Sequence, residues 1–257
     1  MNKRILIIGG TSEAKALGFF LNEKGVAFTY TLTTKPMKTY PFEYRIGKIV
    51  NISQSNETLK VQFEENEALF DLVIDMTHPH ALFIAEILNR LPDSAGLNKM
   101  LWRYQRQSCL NESETVEDYK TLTAKIVEKR AGKILSFMGC NGSEQIARLL
   151  DASHYDCRIY LRSIKRPHFF SERVTLIPLK FSPTEMNNQV LLRTTLDEIG
   201  PELVLLKDSG KEGGTDVKRT VLVENDVDFL GLRMPQKKTG RIFKDLEELK
   251  FSIGVNK

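Results

Sequence analysis

The sequence lacks any apolar run that approaches the roughly 18 residues needed to cross a bilayer. After the basic start at residues 1–4, only four consecutive apolar residues follow, at 5–8, too few for the apolar region of an ordinary signal peptide. We therefore expect no signal peptide, no membrane anchor and no membrane partner.

Cysteine is scarce, and its spacing predicts no disulfide framework. The three residues, Cys109, Cys140 and Cys157, are odd in number, far apart and never in a Cys-x-x-Cys pair. We therefore expect reduced thiols and a cytoplasmic location.

Neither sign of charge dominates, since 37 Lys and Arg face 33 Asp and Glu for a net charge of +4. A charge this small does not indicate a nucleic-acid partner, although a local cluster could still attract an anion. The hydrophobic share of 41% is that of a globular protein, and 257 residues suffice for one large or two modest domains. No obligate protein partner is evident.

Three common enzyme motifs are also absent. There is no Gly-x-Ser-x-Gly, and the Tyr-x-x-x-Lys formed by Tyr44 and Lys48 spans Gly47 in a short early segment rather than a later helix. The glycine-rich segment 207–215 lacks the Gly-Lys-Ser/Thr ending of a P-loop. These absences argue against a serine hydrolase, a short-chain dehydrogenase and an ATPase.

Apolar periodicity predicts alternating strands and helices in both halves of the chain. In the first half we predict a strand at 4–8, a helix at 11–24 and strands at 26–32, 70–76 and 99–104, with a helix at 80–90. In the second half we predict helices at 116–129, 143–150, 185–199, 218–223 and 244–250, and strands at 133–138, 157–161, 174–178, 203–206 and 229–233. Polar residues at 111–117 separate the halves. The pattern predicts an α/β fold with two Rossmann-like, doubly wound domains and largely parallel sheets, at 1–108 and 109–257, whose last segment could pack back on the first domain.

The turn after the first predicted strand is suited to bind phosphate. Gly-Gly-Thr-Ser-Glu-Ala at 9–14 follows a strand and opens a helix, where backbone amides and the helix dipole attract anions. Thr11 stands where the dinucleotide fingerprint has its second glycine. The alternative is a tight turn capped by Thr11 or Ser12.

Two further segments follow predicted strands. After the second strand, Thr33 and Lys35 occur where an NAD site usually has an acid, which tilts the cofactor toward NADP, although Lys35 could be an ordinary loop lysine. Thr77, His78 and Pro79 follow the strand at 70–76, where a cofactor would be touched, and no acid or cysteine joins the histidines at metal-ligand spacing. We expect no metal site.

The second half contains its own anion-friendly features. The segment 207–215 combines three glycines, two hydroxyl side chains and lysine after a predicted strand, which indicates a ligand-binding loop. A basic cluster at 158–173 contains Arg162, and a smaller one pairs Arg103 with Arg106 beside Tyr104. Such clusters are usually solvated faces, but beside glycine loops they suit a polycarboxylated ligand.

Five spaced motifs carry a resemblance to a known family. They are Ile-Gly-Gly-Thr-Ser-Glu-Ala at 8–14, Asp-Met-Thr-His-Pro at 75–79, Arg-Tyr-Gln-Arg at 103–106, Phe-Ser-x-x-Glu-x-Asn at 181–187 and Lys-Asp-Ser-Gly-x-x-Gly-Gly-Thr at 207–215. In this combination the chain resembles the precorrin-6A and cobalt-precorrin-6A reductases of cobalamin biosynthesis. The resemblance implies that NADPH or NADH reduces one double bond of a carboxylate-rich macrocyclic tetrapyrrole, in a ligand cleft between the two domains.

The resemblance also implies two sets of residues. The cofactor set is Gly9, Gly10, Thr11, Ser12, Glu13, Thr33, Lys35, Thr77, His78, Pro79 and Gly139. The substrate set is Arg103, Tyr104, Arg106, Arg162, Ser182, Lys207, Asp208, Ser209, Gly210, Gly214, Thr215 and Lys218.

Some positions depart from the family pattern. Phe-Met-Gly-Cys at 137–140 replaces a Thr-Thr-Gly-Ser type of turn, and Lys35 stands where many members have arginine. We assign no catalytic residue, since Asp208 or water could supply the proton that accompanies hydride transfer. The alternatives are a nucleotide-sensing regulatory protein without turnover and an unrelated NAD(P)-dependent reductase.

Overall fold

The computed structural model describes residues 3–36, 39–162, 172–177 and 189–254, and the chain divides into two compact units. Unit 1 comprises Met1–Arg106 and Pro235–Lys257, and unit 2 comprises Gln107–Met234. The sequence analysis divides the chain after residue 108, whereas the units divide after Arg106 and the last segment belongs to unit 1.

The secondary-structure elements are given in chain order, starting with the N-terminal part of unit 1. It contains β1 (Ile5–Ile8), α1 (Ser12–Glu23), β2 (Phe28–Leu32), β3 (Tyr44–Ile46), β4 (Ile49–Ser55), β5 (Thr58–Phe63), β6 (Glu67–Phe70), β7 (Leu72–Asp75), α2 (Leu82–Asn89), α3 (Leu97–Met100) and β8 (Leu101–Tyr104). Unit 2 contains β9 (Thr115–Val116), α4 (Tyr119–Glu128), β10 (Lys133–Ser136), α5 (Gly139–Ala152), β11 (Arg158–Arg162), β12 (Val174–Ile177), α6 (Gln189–Ile199), β13 (Leu203–Lys207), α7 (Thr215–Glu224) and β14 (Phe229–Leu232). The C-terminal part of unit 1 adds β15 (Arg241–Phe243) and α8 (Leu246–Ser252).

Unit 1 is built on a six-stranded parallel sheet with the order β15-β8-β7-β1-β2-β3. Alternate residues of the central strand β1 enter different cores: Leu6 and Ile8 pack on the side of α2, while Ile5 and Ile7 pack on the side of α1 and α8. A strand covered on both faces needs apolar residues at every position, which is why residues 5–8 form a continuous apolar run.

Unit 2 repeats this architecture with the order β12-β11-β10-β13-β14-β9, again with every neighbouring pair parallel. Ile134 and Leu205 pack on the side of α4 and α5, and Leu135 and Val204 on the side of α6 and α7. The predicted α/β fold with two largely parallel sheets is therefore confirmed.

One prediction in unit 1 is wrong, because residues 70–76 do not form a single strand. Asp71 interrupts the run: its carboxylate accepts hydrogen bonds from the backbone N–H and the guanidinium of Arg4. Phe70 ends β6 in a small antiparallel sheet of order β4-β5-β6, and only β7 joins the large sheet. Apart from Phe70, the small sheet covers residues for which the sequence analysis predicts no element.

The sequence analysis also missed β3, α3 and β15, and the first two residues of the strand predicted at 99–104 lie in α3. The remaining differences are shifts of element ends. The helix predicted from 143 begins at Gly139, and the helix predicted from 218 begins at Thr215. Val116 lies in β9, and α4 begins only after Asp118, whose side chain accepts from the N–H of Thr121 and caps the helix. The first four residues of the helix predicted at 185–199 lie outside the described residues.

Candidate functional site

The turn between β1 and α1 is anchored by the hydroxyl of Thr11. Its Oγ1 accepts from the N–H of Ala14 at 3.1 Å, which caps α1, and donates to the carbonyl oxygen of Met76 at 2.9 Å. Met76 follows β7, so one side chain ties the turn to the neighbouring strand. The predicted helix cap is therefore formed by Thr11, and Ser12 beside it is exposed.

The two glycines of this turn are needed for different reasons. A Cβ on Gly9 would lie 2.4 Å from the ring of the fully buried Tyr30, so no larger residue fits there. Gly10 has a φ of +118°, which L-residues rarely adopt, and a Cβ there would meet nothing within 4 Å. The backbone at Gly10 is therefore open to an approaching ligand.

Replacing Thr11 by Val is expected to lower the free energy of unfolding by about 1 kcal/mol, because the helix cap and the bond to Met76 are lost together. Urea denaturation measures this change. Thr11→Ser keeps a hydroxyl and is the matched control, so equal losses for Val and Ser would contradict the capping role.

A pocket of about 260 Å³ opens beside this turn, at the carboxyl ends of β1, β2 and β7. This edge, where the strand order reverses beside β1, is where open α/β sheets bind ligands. Its lining includes five residues of the predicted cofactor set: Gly9, Gly10, Thr33, Thr77 and His78. It also includes residues that the sequence analysis did not select, among them Gly47, Lys48 and Phe83, whereas Lys35 is exposed and does not line the pocket.

The segment after β7 is held by the carboxylate of Asp75. Its Oδ1 accepts from the backbone N–H of Thr77 at 3.0 Å and from the Thr77 hydroxyl at 2.7 Å. Pro79 is buried, and His78 Nδ1 accepts from the N–H of His80. Thr77, His78 and Pro79 also line a second pocket of about 370 Å³. Among the described residues, no group of three or more His, Cys, Asp or Glu could hold a metal ion.

Three buried charged residues, Asp75, Arg103 and Lys237, form a cluster next to the segment after β7. Arg103 and Asp75 are both fully buried, with Arg103 Nε 2.9 Å from Asp75 Oδ2, and Lys237 Nζ lies 2.9 Å from the same oxygen. Burial alone would raise the pKa of Asp75, but Lys237 and Arg103 lower this pKa to about 2. Burial lowers the pKa of Lys237, and Asp75 partly offsets that effect.

A second buried ion pair joins the start of α1 to the segment after β8. Arg106 binds Glu13 through two parallel bonds, Nε to Oε1 at 2.6 Å and Nη2 to Oε2 at 2.9 Å, and Ser12 donates to Glu13 Oε2 at 2.7 Å. Burial alone would raise the pKa of Glu13, but the bonds from Arg106 and Ser12 keep it below its ordinary value.

Four residues of the predicted cofactor and substrate sets are buried: Glu13, Arg103, Tyr104 and Arg106. The guanidinium of Arg103 is enclosed with Asp75, and that of Arg106 is nearly enclosed with Glu13. Tyr104 packs in the core of unit 1. The structure therefore groups these side chains with protein partners in the interior.

The glycine-rich loop of unit 2 is bound chiefly to itself. Asp208 is fully buried and accepts from the hydroxyl of Ser108 at 2.5 Å and from the N–H of Gly210 at 3.3 Å. The Ser209 N–H donates to Thr215 Oγ1 at 3.0 Å. Gly210 and Gly214 have φ values of 71° and 68°, which favour glycine.

Further residues of the predicted cofactor and substrate sets lie at the carboxyl edge of the unit 2 sheet. Arg162 ends β11, Lys207 ends β13, and Gly139 begins α5 after β10. Lys218 lies in α7, and its Nζ donates to the carbonyl oxygens of Gly213 and Gly214. Ser182 lies outside the described residues.

The sequence analysis missed two members of the buried cluster, Asp75 and Lys237. A carboxylate in an otherwise apolar strand is a usable signal, because buried carboxylates need a cationic partner. Lys237 has no such signal, since 162 positions separate it from Asp75.

The fold first defines a class: this is an α/β protein with glycine-containing turns at the carboxyl ends of parallel strands, the edge where open α/β sheets bind ligands. A family model described as "Precorrin-6x reductase CbiJ/CobK" matches residues 4–252. The chain therefore belongs to the precorrin-6x reductase family. The activity of the chain is the reduction of precorrin-6A or its cobalt form in cobalamin biosynthesis, an oxidoreductase reaction that uses a reduced nucleotide cofactor. The resemblance is therefore confirmed.

Individual relatives agree with this assignment. A cobalt-precorrin-6A reductase of Methanocaldococcus jannaschii is 22% identical over 247 residues, which is 95% of this chain and 96% of that protein. A cobalt-precorrin-6A reductase of Salmonella typhimurium is 31% identical over 107 residues, covering 42% of this chain and 39% of that protein. A solved structure of "CobK precorrin-6A reductase" has a TM-score of 0.70 at 16% identity, over 98% of this chain and 96% of that one, and shares its fold. In the described part of the chain, no helix has the length and apolar character to span a membrane.

Proposed function

We propose that unit 1 binds the nicotinamide nucleotide, NADPH or NADH, at the carboxyl edge of its sheet. The observation that carries this proposal is the turn at Gly9 and Gly10, which opens onto the pocket of about 260 Å³ beside the capped start of α1. Backbone amides at a helix start favour a pyrophosphate, and the open space over Gly10 lets one approach. The residues of this turn therefore fit a nicotinamide nucleotide.

The neighbouring residues suit the remaining parts of the nucleotide. Thr33 follows β2, Lys48 lies between β3 and β4, and Thr77 and His78 follow β7; all four line the pocket. A bound reduced nicotinamide would supply the hydride for the double bond of the macrocycle. The protein's part is to align the two molecules and to neutralise the acid groups of the tetrapyrrole.

In unit 2, we propose that the tetrapyrrole carboxylates meet Arg162 and the loop 207–215. Arg103 and Arg106 instead hold the turn and the segment after β7 in place, because their guanidinium groups are buried against Asp75 and Glu13. Asp208 already accepts hydrogen bonds from Ser108 and Gly210, so its role is to shape the loop, and water supplies the proton.

Anaerobic mixing of the purified protein with precorrin-6A or cobalt-precorrin-6A, and with NADPH or NADH in turn, tests the proposal. The absorbance of the nucleotide and of the macrocycle are followed together. Oxidation of one nucleotide for each macrocycle reduced is the expected result, and it also identifies the preferred substrate and cofactor. Nucleotide binding without reduction of either macrocycle would contradict the proposal.

Replacing Lys48 by Met is expected to weaken NADPH binding about tenfold and to leave NADH binding unchanged, because only NADPH carries the 2′-phosphate. Lys35→Met tests the lysine that follows β2, which the sequence analysis relates to the choice of NADP. Lys24→Met, an exposed lysine at the end of α1, is the control. Calorimetric titration measures each affinity, and an equal loss for both nucleotides in the Lys48 variant would refute phosphate recognition.

A further inference from the structure

The pocket beside the turn at Gly9 and Gly10 has an apolar wall to which the proposed function assigns no part of the nucleotide. The apolar residues that line this pocket are Ile8, Leu32, Ile49, Ala81, Phe83 and Ile84. Phosphate and ribose are polar and gain little from such a wall, whereas a nucleotide base presents flat faces that stack on apolar and aromatic side chains. The wall therefore indicates that a base occupies this pocket in addition to the phosphates.

Phe83 differs from the other apolar residues of this wall because its side chain is exposed. It lies in the first turn of α2 and is 63% exposed, whereas Ile84 beside it is buried in the core of unit 1. In the part of the chain that the structure describes, Phe83 is the only exposed large apolar residue that lines this pocket. An exposed apolar residue is common on a protein surface, but one that lines a ligand pocket gains stability when the ligand covers it.

The position of the pocket on the sheet identifies the base as adenine. The pyrophosphate is placed at Gly10 and the start of α1, and the pocket lining extends from the end of β2 to Gly47 and Lys48 after β3. In dinucleotide-binding sheets, the ribose at the end of the second strand is the ribose of the adenosine. The base attached to this ribose is adenine. A macrocycle of four pyrrole rings is much larger than a pocket of about 260 Å³.

We propose that the ring of Phe83 stacks on the adenine of the bound nucleotide. This inference rests on the proposed function, since it requires that unit 1 binds NADPH or NADH. Stacking uses the face of the adenine, which both cofactors have, whereas Lys48 is placed at the 2′-phosphate, which only NADPH carries. Phe83 therefore contributes the same affinity for both cofactors and selects for ligands that contain a base at this end.

Calorimetric titration with two parts of the cofactor tests which ring Phe83 contacts. ADP-ribose contains the adenine and the pyrophosphate but no nicotinamide, and reduced nicotinamide mononucleotide contains no adenine. Phe83→Ala is expected to weaken the binding of ADP-ribose about tenfold, because one stacked base is lost, and to leave the binding of reduced nicotinamide mononucleotide unchanged. NADPH and NADH should lose affinity to the same extent.

Phe251→Ala is the matched control. Phe251 lies in α8 of the same unit, is 76% exposed and lines neither of the two pockets of unit 1, so its replacement should leave every titration unchanged. Phe83→Tyr keeps the ring and should bind ADP-ribose as the wild type does. Phe83→Leu keeps an apolar side chain without a ring and should lose most of the affinity that Phe83→Ala loses. If Phe83→Ala does not fold, Phe83→Leu decides by the same titrations.

Nuclear magnetic resonance gives a readout that a purely structural role of Phe83 does not change. With ADP-ribose bound to the full chain, the adenine protons should show nuclear Overhauser effects to the ring protons of a phenylalanine. These effects should persist in Phe251→Ala and disappear in Phe83→Leu.

The outcomes separate this inference from the proposed function. A wild type that binds ADP-ribose through Phe83, but reduces neither macrocycle, would retain the stacking contact and refute the proposed function. If the wild type reduces a macrocycle, but folded Phe83→Ala and Phe83→Leu bind ADP-ribose as tightly as the wild type, the inference is overturned and the proposed function stands. A loss confined to reduced nicotinamide mononucleotide also overturns the inference, because Phe83 then contacts the nicotinamide. A wild type that binds neither ADP-ribose nor a complete nucleotide overturns both.

Discussion

Asp75→Asn is expected to lower the free energy of unfolding by about 3–5 kcal/mol, the largest stability effect that we expect from a single substitution. Asp75 is fully buried and is the shared counterion of Arg103 and Lys237. Asparagine keeps the shape of the side chain but removes its charge, so two buried cations lose their partner. The Thr77 hydroxyl also loses a charged acceptor, and the segment that lines both pockets of unit 1 loosens.

Urea denaturation measures the change, and Asp71→Asn is the matched control. Asp71 lies just before the same strand and is paired with Arg4, but this pair is partly exposed, so a loss of only about 0–1 kcal/mol is expected. Adding Lys237→Met to Asp75→Asn should recover part of the loss because one unpaired cation is removed. Equal losses for Asp71→Asn and Asp75→Asn would contradict the role of the buried cluster.

The same cluster predicts a pH dependence. The folded-state pKa of Asp75 is about 2, below its ordinary 3.8, so its stabilisation is fully present above about pH 4 and is lost as the pH falls toward 2. The wild type should therefore lose more stability than Asp75→Asn over this range. Parallel stability curves would show that the carboxylate does not favour folding.

Gly10→Ala is expected to weaken nucleotide binding between about tenfold and a hundredfold, the range that corresponds to losing a hydrogen bond to a charged group. The added Cβ meets no protein atom within 4 Å, so it projects into the space where we place the pyrophosphate. The φ of +118° also strains any L-residue, which costs about 1–3 kcal/mol of stability. Calorimetric titration with NADPH and NADH measures the affinity.

Gly25→Ala separates the strain from the loss of binding. Gly25 follows α1, has a φ of +66° and would likewise carry a Cβ that meets nothing within 4 Å, but it does not line the pocket. We expect a comparable loss of stability and an unchanged nucleotide affinity. Equal losses of affinity in both variants would show that Gly10 acts only through the fold.

The local sequence was enough to predict the architecture of both units. The apolar run at 5–8, the glycine turn and the helix after it together specify a strand-turn-helix, because burial on both faces, positive φ and helix capping are set by neighbouring residues. The antiparallel strands at 49–70 were missed, since no element was predicted between 33 and 69. The break at Asp71 depends on Arg4, a residue 67 positions away.

What the sequence by itself determined was the two α/β units, the family and the turns at the strand ends, since these depend on short-range patterns and spaced motifs. Only the tertiary structure decided which charges are paired inside the protein. It joined Asp75 to Lys237 and Glu13 to Arg106, and it left Arg162 without a counterion in the described residues. The physical reason is that a charge shows its role through its neighbours and its burial, and the fold brings those neighbours together from distant parts of the chain.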